Sequence, residues 1–185
     1  MKRYSVWYIS KKRRFAFIAI ATAVFAAVYS AGAASTMSDE EAQNLKEMFA
    51  EQVKGVDAFG IFLNNFRIAA AMFIPAFGVF VGVFSAYSTG MVFKALAQTT
   101  PQLADLPPLI ILTTPFGIME IISYGIAMSQ SAILINMIVR KQSLKPMMIP
   151  TMIQLGIVAA LLLTGAFVEF YMIKEFAPEI QVIET

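Results

Sequence analysis

Four long apolar runs, separated by short polar or proline-bearing breaks, dominate this sequence: residues 15–34, 59–97, 109–139 and 147–173. A helix of about 20 apolar residues crosses a hydrocarbon core roughly 30 Å thick. Inside lipid every backbone polar group must be satisfied within the segment, which leaves helices as the form such runs can take. The composition agrees, with 58% hydrophobic and 14% charged residues, against about 45–50% and about 25% in soluble domains. The spacing therefore predicts an all-α, multi-pass transmembrane helical bundle with four to five membrane elements, at least one of them broken or re-entrant.

The charges are unevenly placed. Six of the 14 Lys and Arg fall in the first fourteen residues (Lys2, Arg3, Lys11, Lys12, Arg13 and Arg14), and such a head suits an anionic cytoplasmic lipid surface. A basic run also suits nucleic acid, but the apolar segment that follows at once argues against it, so no nucleic-acid partner is expected. The first run resembles a secretory signal as well as a membrane anchor, because Ala31-Gly32-Ala33 fits the small-residue cleavage pattern. It is read as a retained anchor with its N-terminus cytoplasmic, in the cell membrane. Beyond it, Asp39, Glu40, Glu41, Glu47 and Glu51 face only Lys46 and Lys54. Ser38 with Glu41 fits a capping box, and Leu45, Met48, Phe49 and Val53 recur at helical spacing. This predicts a short amphipathic helix on the outer face.

The divisions that follow are a basic head (1–14), an N-terminal transmembrane helix (15–36), an acidic amphipathic segment (37–58), the main membrane domain (59–178) and an acidic tail (179–185). Within the main domain the 59–97 run is too long for one straight helix. The positive-inside tendency argues that it crosses twice, since only five crossings put Arg140, Lys141 and Lys145 on the same side as the head. The expected bend lies near residues 85–90. Leu109 to Thr114 is read as a short re-entrant or half helix, and Gly78 with Gly82 as a small-xxx-small step for helix packing.

Ionisable groups in apolar spans are costly, about 2.5–3.5 kcal/mol at the bilayer centre on insertion scales, and usually pair or face a cavity. Arg67, Glu120 and Glu169 are the three here. They are expected to neutralise one another in part, with Asn64, Asn65, Gln130, Asn136 and Gln154 available to extend the network. The chain has no cysteine and no histidine, which removes disulfides, thiol nucleophiles and the commonest metal ligand and general base. Met147, Met148 and Met152 are soft enough for copper(I), but nothing completes such a site and methionine is an ordinary gap filler. No phosphate loop or catalytic triad is present. No metal, no cofactor and no enzymatic activity are expected.

Several words of the sequence together resemble the stage II sporulation protein M family. They are Ile61-Phe62-Leu63-Asn64-Asn65, Ser88-Thr89-Gly90, Pro115-Phe116-Gly117-Ile118-Met119-Glu120 and Ala166-Phe167-Val168-Glu169-Phe170, with Pro178 standing for the family's proline-containing end. The likeness runs from near Ala58 to Pro178. Phe116 stands where the family usually has His, and Thr89 where it usually has Asn, so a role needing that imidazole is not carried over. The resemblance implies a non-enzymatic membrane scaffold; the founding member belongs to a complex that recruits cell-wall hydrolases during engulfment of the forespore. It also implies that Asn64, Asn65, Gly90, Pro115, Gly117, Glu120 and Glu169 build the packing core and any central polar pocket. The expected role is an accessory subunit of a larger membrane assembly. Its partners would be the lipid bilayer and other integral membrane proteins, in a hetero-complex or homo-oligomer. The rival is a transporter or permease component with a polar site between broken helices.

Overall fold

Ser10 closes the start of the first helix by accepting the Arg13 N–H, and the apolar run behind it continues as α1 (Lys11–Ala33). This and the following elements are described from a computed structural model covering residues 10–176. Lys2, Arg3, Pro178, Glu179 and Glu184 lie outside the described residues. The remaining helices are α2 (Asp39–Val53), α3 (Ala58–Met72), α4 (Phe77–Thr99), α5 (Ile110–Thr113), α6 (Pro115–Val139) and α7 (Met148–Phe176). Single 3₁₀ turns occupy Pro101–Leu103 and Lys145–Met147. Among the described residues there is no strand.

Among the described residues four helices, α1, α4, α6 and α7, are long and apolar enough to cross a membrane. The apolar α3, with 15 residues, reaches about 22 Å at 1.5 Å per residue. Contacts fix the helix directions. Phe25 of α1 stacks obliquely on Tyr124 of α6, with ring centroids 5.1 Å apart, and the Arg14 guanidinium touches the Met147 sulfur, 4.0 Å away, just before α7. At the other end Gln98 of α4 donates to Asp39 Oδ1 at 2.7 Å, and the Tyr29 hydroxyl donates to the Pro108 carbonyl at 3.0 Å. Hence α1, α4 and α7 run one way while α3 and α6 run the other. Arg14, Arg140, Lys141 and Lys145 gather at one end, and α2, Asp57, Asp105 and Glu175 at the opposite end.

The bend that lets the 59–97 region run out and back falls at residues 73–76, not at the expected 85–90. Pro75 has no N–H to continue the ladder, and Ala76, which precedes the first residue of α4, takes φ 66°, in the left-handed region. Residues 85–90 lie inside α4, where Gly90 serves packing rather than turning: a Cβ there would meet the Tyr29 carbonyl and the Gly32 Cα of α1. A Cβ on Gly78 would strike the Met72 carbonyl, and one on Gly82 the Met128 side chain. The core these contacts close is built from Phe25, Tyr29, Ala69, Met72, Phe93, Tyr124, Met128, Val158 and Leu162, with α6 the most buried of its helices.

The segment expected as a re-entrant or half helix is a single turn, α5, exposed at Ile110 and followed by a break. That break is the capped start of α6: Thr114 Oγ1 accepts the Gly117 N–H at 3.0 Å, and Pro115 occupies the first turn where no donor is needed.

The capping box of α2 forms as the sequence indicates. Ser38 accepts the Glu41 N–H at 3.2 Å, and Glu41 accepts both the Ser38 N–H and hydroxyl at 2.8 Å. Ala42 is buried while Met48 and Val53 stay exposed. These hydrogen bonds from the Ser38 backbone and hydroxyl hold the Glu41 carboxyl below its ordinary value of 4.5. A depressed folded-state value means the stabilisation is complete above that ordinary value and is lost as pH falls through the lower folded one. Amide exchange in residues 39–43, corrected for its intrinsic pH dependence, is therefore expected to speed up in acid. Glu41→Gln should flatten that response; an unchanged profile in the variant would place its origin elsewhere.

Candidate functional site

On α3 the buried residues Ala58, Ala69 and Met72 mark one helical stripe, and Asn65 falls on it at spacings of seven and four. The stripe faces α6 and α7, so Asn65 points inward. Its Nδ2 donates to Glu120 Oε1 at 2.5 Å. Glu120 sits in the second turn of α6, and the Glu169 carboxyl approaches closely enough for the two charges to interact. Tyr124, one turn beyond Glu120, lies within electrostatic reach of both. A partly buried polar cluster between α3, α6 and α7 thus joins Asn65, Glu120, Glu169 and Tyr124.

Among the described residues no basic side chain enters it. Arg67, expected to offset the two carboxyls, is exposed on α3 and has no hydrogen-bond or ion-pair partner among the described residues. The reason is angular: two residues beyond Asn65, at 100° per residue, place Arg67 on nearly the opposite side of the helix. Asn64 is also exposed, and its amide reaches only the neighbouring Asn65 Oδ1 at 3.5 Å. Glu169 Oε2 is buried and has no hydrogen-bond partner.

The other amides do not join this cluster. Gln130 is fully buried and donates to Thr151 Oγ1 at 2.7 Å; ten residues from Glu120, it lies about 15 Å along α6. Its Oε1 and that of the nearby Gln154 are buried without partners. Asn136 accepts from Arg140 on the surface. Gly90, Pro115 and Gly117 support the site from outside it. Gly90 sets the α1–α4 distance and Pro115 starts α6, while a Cβ on Gly117 would meet the Ile111 carbonyl. Phe116 is half-buried, and Thr89 bonds its own helix at the Ser85 carbonyl.

Tyr124 was not among the sequence candidates. Its i+4 spacing from Glu120 was the available signal, since that spacing stacks two side chains on one helix face.

A family model described as Stage II sporulation protein M matches residues 15–172. The chain belongs to the stage II sporulation protein M family. No curated protein and no solved structure matches it. The matched stretch begins at the first apolar residue of α1, earlier than the Ala58 at which the sequence words start. In this member of the stage II sporulation protein M family, α1 and α2 are thus part of the family unit, consistent with Phe25 and Tyr29 lying in the same core as Met72 and Leu162. Among the described residues, no group of three or more acidic side chains comes together as a metal site.

Proposed function

We propose that this member of the stage II sporulation protein M family is a non-enzymatic scaffold or accessory subunit of a larger membrane assembly. It would reside in the cell membrane with its N-terminus cytoplasmic. The carrying observation is Arg67: an unpaired guanidinium on the outward face of an apolar helix, with Asn64 three residues before it. Such a charge is costly against lipid and is offset when another membrane protein brings a carboxylate to it. The orientation is supported by the gathering of Arg14, Arg140, Lys141 and Lys145 at one end.

Purification from its native membrane in mild detergent, with mass spectrometry of what stays bound through size exclusion, is expected to return a stoichiometric membrane partner. Arg67→Leu should lose that partner, by about tenfold or more in recovered ratio, while keeping the monomer's own melting behaviour. A clean homo-oligomer from the unaltered chain would sink the accessory-subunit reading.

The transporter reading keeps one specific observation in its favour, the Glu120–Glu169 pair with a buried, unpartnered oxygen and no cation beside it among the described residues. Ion flux in proteoliposomes that disappears with Glu120→Gln and Glu169→Gln would favour it over the scaffold.

A further inference from the structure

At the basic end of the bundle, where α6 meets the start of α7, lies a cavity of about 230 Å³, lined by Leu134, Leu144, Met147, Met148, Thr151 and Met152. The lining is almost wholly apolar. Three of the six are methionines, whose unbranched side chains adapt to irregular apolar occupants, and Met148 and Met152 are exposed at its rim.

Basic groups stand at its mouth. The Arg14 guanidinium rests on Met147, with one nitrogen 4.0 Å from the sulfur, a weak acceptor that leaves the other guanidinium donors uncommitted. Lys145 opens the 3₁₀ turn that carries Met147 and is exposed, as is Lys141. Arg140 is already engaged by Asn136. Every acidic side chain among the described residues lies elsewhere: in α2, at Asp57 and Asp105, in the Glu120–Glu169 cluster, or at Glu175. No carboxylate among the described residues neutralises this mouth.

We infer that this groove is a binding site for an anionic phospholipid, its acyl chain lying along Leu134, Met148 and Met152 and its phosphate held by Arg14 and Lys145. An apolar slot opening onto basic side chains at the lipid surface has the chemistry of such a ligand, and basic pockets between membrane helices are a known form of headgroup recognition. A free phosphate would leave the apolar slot without an occupant, and a neutral lipid would leave the cations unpaired.

The test uses the full chain extracted from bilayers of equal phosphatidylglycerol and phosphatidylcholine, with native mass spectrometry of the lipid retained. Phosphatidylglycerol is expected to be held preferentially. Arg14→Gln with Lys145→Gln should reduce the preference about tenfold or more. Lys145→Gln alone, at an exposed side chain that cannot upset the core, should reduce it in part. Met152→Trp, which fills the slot from its rim, should displace the lipid with both cations intact. Lys174→Gln, at the opposite end, should change nothing. Equal retention of the two lipids, an unchanged preference in Lys145→Gln and the double variant, or a bound protein in place of lipid would overturn the assignment.

Discussion

Gly90→Leu is expected to lower the stability of the bundle in mild detergent by on the order of 3 kcal/mol, with a matching loss of monodisperse protein. Where α1 crosses α4, Gly90 faces Gly32, and the nearest atoms to an added Cβ are the Tyr29 carbonyl oxygen and the Ala33 nitrogen. Backbone atoms cannot swing aside as a side chain does, so the two helices must move apart. In lipid, separation is not offset by any hydrophobic gain, because helix association there depends on close packing itself. The displacement would propagate to Tyr29, which is fully buried and holds the loop after α4 through the Pro108 carbonyl. Gly156→Leu is the comparison: no atom lies within 4 Å of a Cβ there, and the change should stay within about 0.5 kcal/mol. Thermal or denaturant unfolding of both variants decides the matter; equal losses would mean that the α1–α4 contact is not what limits stability.

Asn65→Leu should cost about 2 kcal/mol, because it removes the hydrogen-bond donor to the Glu120 carboxyl and leaves that acceptor buried without it. The diagnostic is the double-mutant cycle. Glu120→Leu in the Asn65→Leu background should recover much of the loss, since replacing both partners by apolar groups of similar shape removes the desolvation penalty along with the bond. Glu120→Gln keeps an acceptor for Asn65 and should be close to neutral. Additive losses in the double variant would show that the two side chains are not coupled. Asn64→Leu, one residue away but outward-facing, should cost little.

These two sites differ in how far the sequence exposes them. The small residues at 32, 78, 82 and 90 mark possible close approaches, and Gly78 and Gly82 are contact points at helix spacing. Nothing local tells which helix each one meets, because Gly32 and Gly90 are 58 residues apart in the chain. The bend differs from its expected place for a related reason: glycine near 85–90 reads as a break in isolation, whereas Pro75 removes a helix donor outright. At Thr113 to Gly117 the threonines and Pro115 are legible as an interruption. That it forms a capped helix start follows from Thr114 and Pro115, and its lack of a half helix from a run too short to hold more than one turn.

The polar residues divide the same way. Asn64, Asn65 and Arg67 lie within four positions and look like one group, yet helix geometry sends Asn65 inward and the other two outward. Only the buried stripe through Ala58, Ala69 and Met72 identifies the inward direction. The Glu120–Glu169 meeting is beyond any local signal, since it depends on α6 and α7 lying antiparallel.

The sequence by itself determined that this chain lives in a membrane as a bundle of helices, because long apolar runs have no other way to satisfy their backbone in lipid. It also determined which ends are basic and which acidic, and where α2 and α6 begin, since charges and caps act within a few residues. The tertiary structure alone decided which helices touch, which face of α3 looks inward and that Arg67 is left outside while two carboxyls meet without it. Those outcomes depend on the rotation and pairing of whole helices, set by close packing between segments far apart in the chain.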